Sequence, residues 1–113
     1  MAKHGERSDL ENMVDGIADR ITRGVIYRPD DMLEDDEPSA YDWLEDALDI
    51  EYVVTSKGEY LGARVLVAFG GQNIWVNTRT KKVEGAWWSD AYSASFSDEI
   101  GLDDALSELW ECR

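Results

Sequence analysis

Cysteine and histidine are nearly missing from this chain, which has one of each, Cys112 and His4. A Ser/His/Asp triad, a Cys/His dyad or a Cys/His zinc site would have to draw on one or both. His4 lies in the polar opening MAKHGERSD and Cys112 is the penultimate residue, and chain ends are usually loose. A lone Cys also gives no disulfide framework. No apolar run approaches the roughly 20 residues of a membrane span or the h-region of a signal peptide. The expectation is a soluble protein of a reducing cytoplasm, with no cofactor and no metal.

Positive charge is scarce as well. Lys and Arg number 11 against 25 Asp and Glu, a formal net charge of −14. Such a chain does not bind bare nucleic acid or an anionic membrane unaided.

What is present argues for a folded core. Hydrophobic residues make up 43% of the 113 positions and aromatics 11%, with five Trp, whereas chains disordered by composition have few aromatics. The length suits one domain. Residues 1–8 read as a flexible leader and 9–113 as a single α+β domain.

Ser8 with Glu11 forms a capping box ahead of Leu10, Met13, Val14, Ile17 and Ile21, an amphipathic stripe that predicts a helix over about residues 9–23, closed by Gly24. Pro29 and Pro38 bracket an acidic loop. Ser39 with Asp42 predicts the start of a second helix over about 40–48. From Ile50 the period changes to two: Glu51 to Thr55, Tyr60 to Phe69, Asn73 to Thr78 and Val83 to Ser89 read as a four-stranded antiparallel meander. Tyr92 to Phe96 is a candidate fifth, edge strand. In the second strand Leu61, Ala63, Val65, Val67 and Phe69 share one alternating face. Leu102, Ala105, Leu106 and Leu109 predict a terminal helix over about 102–111. The sheet would leave two edges, so a homodimer through an edge strand is open.

The least balanced stretch is residues 30–51, with 11 acids in 22 residues and no Lys or Arg. Asp30, Asp31, Glu34, Asp35, Asp36 and Glu37 fall in the loop; Asp42, Glu45, Asp46 and Asp49 recur at helical spacings of three and four. Like charges so placed cost a few tenths of a kcal/mol per pair, about 1–3 kcal/mol in sum against a total stability of roughly 5–15. Two readings stay open: a solvated face, and a surface matched to a basic groove, since closely spaced carboxylates approximate the charge density of duplex DNA. Calcium is disfavoured because the DxDxDG…E register is absent. Paired carboxylates of the glycosidase kind are met by almost any two acids here and discriminate nothing.

Gly70-Gly71 lacks the companions of a phosphate loop and reads as a tight turn. Trp43 and Trp110 fall among helix apolar positions and are expected in the core. Trp87 and Trp88 would point to opposite faces of a regular strand, so one of them is a candidate interface anchor. Arg79, Lys81 and Lys82 near Trp-bearing strands evoke single-strand binding, against which the net charge weighs heavily.

The phrases GARVLVAFGGQNIWVNTRTKKVEGAWW and SAYDWLEDALDIEY, together with the acidic run, resemble small acidic proteins carried by phages and conjugative elements. Anti-CRISPR and anti-restriction inhibitors are among these. The likeness covers about residues 39–110. It implies a non-enzymatic inhibitor that occludes the nucleic-acid-binding surface of a host CRISPR-Cas or restriction complex, with no catalytic residue to carry over. The rival reading is an intracellular adaptor or immunity-type subunit that docks through an aromatic sheet face. A small carboxylate- or Tyr-based enzyme is the third.

Overall fold

A computed structural model describes residues 9–27 and 37–113. Three helices cover one face of a five-stranded antiparallel sheet: α1 (Asp9–Thr22), α2 (Ala40–Leu44), β1 (Asp49–Val54), β2 (Tyr60–Ala68), β3 (Asn73–Asn77), β4 (Lys82–Trp87), β5 (Asp90–Ser95) and α3 (Leu102–Glu111). The strands lie side by side in chain order.

α1 forms where its apolar period predicts. Leu10, Val14, Ala18 and Ile21 are its buried stripe, and burial of each of the larger three supplies about 1.5–3 kcal/mol. Gly24 ends it at φ 72°, with the Val25 N–H reaching back to the Arg20 carbonyl at 2.9 Å. Ser8 of the expected capping box lies outside the described residues.

The stripe rests on β4 and β5. Gly85 has no side chain because α1 occupies that space: a Cβ there would sit 2.7 Å from Val14 Cγ2 and 2.8 Å from Leu10 Cδ1. The Tyr92 hydroxyl of β5 donates to the Asp15 carboxylate at 3.0 Å, fixing the same helix at its polar margin.

One row of the sheet, Ile50, Val65, Val76, Val83 and Ala94, runs across all five strands and faces the helices. The neighbouring rows face away: Glu51, Arg64, Asn77, Lys82 and Ser95, then Asp49, Leu66, Trp75, Glu84 and Ser93. Beneath the covered face, buried Thr78 closes a polar gap. Its Oγ1 accepts from the Ala63 N–H at 2.9 Å and donates to the Ala63 carbonyl at 3.3 Å.

The candidate fifth strand forms, and several expectations need adjustment. The second helix stops at Leu44 rather than near 48, because the Leu48 N–H bonds the Leu66 carbonyl at 2.8 Å and opens β1 at Asp49. The fifth strand is full length, starting at Asp90. The fourth strand ends at Trp87, so Trp88 belongs to a turn, not to the strand. The single alternating face of the second strand is broken by register shifts opposite Val53/Val54 and between Leu66 and Ala68. An extra residue in one strand reverses the alternation beyond it. Ala63 and Val65 are buried, whereas Leu61 and Phe69 are exposed.

α3 begins where predicted. Asp98 accepts from the Leu102 and Asp103 N–H groups at 2.8 and 2.9 Å, which satisfies donors the first turn cannot. Trp43, expected in the core, is partly buried against it, while Trp110, expected there too, is half-buried away from it. Trp110 lies against the Tyr52 ring and donates its Nε1–H to the Gly58 carbonyl at 2.9 Å.

Candidate functional site

Of the acids singled out in the sequence, Asp30, Asp31, Glu34, Asp35 and Asp36 lie outside the described residues. Glu37 is exposed just before Pro38. Asp42 serves the fold, since its Oδ2 accepts from the Ser39 N–H at 2.7 Å and caps α2. A five-residue helix is far below the length that is stable alone, so this cap, buried Ala40 and Leu44, and the packing on α3 hold it.

Glu45, Asp46 and Asp49 are exposed. None of the three forms an ion pair among the described residues. Asp49 accepts only the neighbouring Ile50 N–H, at 2.9 Å. Because α2 is so short, these residues lie in the turn and at the head of β1, not on one continuous helix. Glu51 points to the open sheet face and bonds Arg64 at 2.9 Å. That guanidinium lies 4.2 Å over the Trp75 ring, a cation–π contact.

Residues that sequence reading passed over complete the acidic surface. The Tyr41 hydroxyl of α2 donates to Glu108 Oε1 of α3, across 67 residues of chain. Asp104 and Glu108 line a shallow depression with Ser39 and Tyr41. α3 therefore brings Asp104 and Glu108 against the start of α2. No Lys or Arg occurs from 37 to 56 or from 83 to 112, so both contributing segments are free of cations. This could have been read from the second gap in basic residues, but not its placement, which depends on helix packing.

On the other side of α2, Ile17, Ile26, Trp43, Ala47 and Val67 line a groove bordered by Arg20, Asp42 and Asp46. Its volume of about 160 Å³ is below the roughly 300–1,000 Å³ of small-molecule sites. Among the described residues no group of three His, Cys, Asp or Glu side chains is placed to hold a metal ion.

The Tyr60 hydroxyl titrates well above the usual phenol range, chiefly through burial. It donates to Asp103 Oδ1 at 2.8 Å and ties β2 to the start of α3. Held protonated, it is a structural donor rather than a base.

The two candidate aromatics separate. Trp87 is partly buried against the core, while Trp88 is 90% exposed. No family model matches the chain, nor does any curated protein or solved structure.

Proposed function

We propose that this protein is a non-enzymatic inhibitor that binds a basic, nucleic-acid-binding surface of another protein by presenting carboxylates in place of phosphates. The observation that carries the reading is the junction of α2 and α3. Two cation-free segments far apart in sequence meet there: Asp104 and Glu108 of α3 lie against Ser39 and Tyr41 at the start of α2, in the segment that carries exposed Glu37 and Glu45. Solubility needs charge but does not need it gathered from two elements. Their mutual repulsion weakens the free protein by a few tenths of a kcal/mol per pair, and a Lys/Arg-lined groove relieves it.

The chemistry follows from the charge. Association with a basic groove is steered and fast, and it weakens steeply as salt rises. The target class is a protein that itself binds DNA or RNA; a host CRISPR-Cas or restriction complex is the member of that class to which the sequence resemblance leads.

The experiment is affinity capture from lysate of the source cells at about 0.1 M and about 0.5 M salt, between which screening of exposed charges strengthens greatly, with duplex DNA as competitor. The reading expects nucleic-acid-binding proteins captured at low salt, released at high salt and displaced by DNA. Capture that resists both salt and DNA overturns it.

A further inference from the structure

Trp88 occupies a place that folding alone does not explain. β4 ends at Trp87 and β5 begins at Asp90, paired with each other, so Trp88 and Ser89 form a two-residue hairpin turn. Trp88 takes φ 57°, in the left-handed region, where a bulky side chain is a genuine outlier and turns of this length favour Gly or Asn. At 90% exposure the indole recovers almost no burial within this chain for that strain. Observed strain with no internal compensation is a pointer to function.

The turn does not stand alone. In the meander β2 and β4 end, and β1, β3 and β5 begin, at the same end of the sheet. Phe69 leaves β2 there with 73% of its surface exposed, and Leu48 enters β1 there with 59% exposed. One strand separates β2 from β4, which sets Phe69 and Trp88 about 10 Å apart across the sheet, with Trp88 two residues further along the strand direction. The carboxylates that the topology brings to this end are Asp49 and Asp90, the first residues of β1 and β5. The cations of the sheet are elsewhere: Lys57, Arg79 and Lys81 occupy the turns at the opposite end, Lys82 starts β4 there, and Arg64 lies in the middle of β2.

We propose that this sheet end is a docking surface, with Trp88 as anchor and Phe69 and Leu48 beside it, for an apolar cleft of a partner protein rimmed by Lys and Arg. Trp is among the residues most enriched in the hot spots of protein interfaces. Charge complementarity selects the partner: with Asp49 and Asp90 at this end and a net charge of −14, the protein repels a like end of a second copy, nucleic acid and anionic lipid alike, and attracts a basic protein surface. The basic character of the partner rests on the function proposed above; the anchoring role of Trp88 is additional to it.

The test places a photo-reactive benzophenone side chain at exposed Ser89 in the full chain, irradiates it in lysate of the source cells, and maps the cross-linked peptides. The proposal expects cross-links to Lys- and Arg-rich segments that flank apolar residues, reduced at least ~10-fold by Trp88→Gly and by Phe69→Ser. Trp88→Gly also serves as the folding control. Gly suits the turn, so this variant unfolds at or above the wild-type temperature, and a fall of more than ~4 °C would assign Trp88 to the fold and overturn the proposal. Cross-links to a second copy, to acidic segments or to lipid, no cross-links at all, or cross-links indifferent to Trp88→Gly also overturn it. If Trp88→Gly leaves salt-sensitive, DNA-displaced capture intact, the docking proposal fails and the proposed function stands. If instead Trp88-dependent cross-links to basic segments persist while DNA displaces nothing, the proposed function fails and the docking surface stands.

Discussion

Trp87 and Trp88 are adjacent in the chain and share no environment: the first closes β4 against the core, the second projects from the turn into solvent. The pair separates what the fold uses from what it does not. Trp87→Ala is expected to cost about 1–3 kcal/mol, below the roughly 3–5 of a fully buried Trp because the ring is partly exposed. Trp88→Ala is expected to change stability by no more than ~0.5 kcal/mol, as surface substitutions usually do. Urea denaturation of the two variants side by side checks both figures.

Gly85 is required by α1 rather than by the strand. A methyl group there meets Val14 and Leu10 at under 3 Å, so Gly85→Ala forces the helix outward and is expected to cost about 1–3 kcal/mol, the range of overpacked cores. Amide exchange should locate the damage in α1 and leave β1 and β2 protected. Equal loss of protection throughout would mean that α1 and the sheet open as one unit.

Among the described residues Thr78 is the buried polar one, and it pairs with Ala63 of β2. Thr78→Val keeps its shape but strands the Ala63 N–H, which is expected to cost about 1–3 kcal/mol; Thr78→Ser, which keeps the hydroxyl, should cost less. Thermal unfolding of the two variants gives the order directly.

The raised titration of Tyr60 has a pH consequence. Folding favours the protonated phenol, so its contribution is complete below the unfolded value near 10 and is lost as pH climbs beyond it. Wild-type stability should therefore fall above about pH 10 more steeply than that of Tyr60→Phe, which has no phenol to ionise there. Parallel curves for the two proteins would show that burial of this hydroxyl does not set alkaline stability.

Much of this architecture is legible in local pattern. The stripe of Leu10, Val14, Ala18 and Ile21, the turn at Lys57-Gly58 and the stripe of Leu102, Ala105 and Leu106 each announce themselves within a few residues. The failures have a common physical origin, since each depends on a partner distant in sequence. The Leu48 N–H leaves α2 because Leu66 offers a carbonyl; the alternation of β2 breaks where bulges oppose its neighbours; the β4–β5 turn carries Trp where Gly or Asn would signal it. The same holds for the acidic surface. Residues 37–51 declare their charge, but Asp104 and Glu108 join them only through packing of α3 on α2.

The central claim is that acids at one place, rather than net charge, engage a basic partner. Two variants of equal charge test it in the capture experiment: Glu37→Gln/Glu45→Gln/Asp104→Asn at the α2–α3 junction, and Glu59→Gln/Glu84→Gln/Glu99→Gln elsewhere. The account predicts that the first loses salt-sensitive, DNA-displaced capture by at least ~10-fold, about 1.4 kcal/mol, and folds within ~1 kcal/mol of wild type, while the second retains capture. Equal loss in both, or loss in neither, would contradict it.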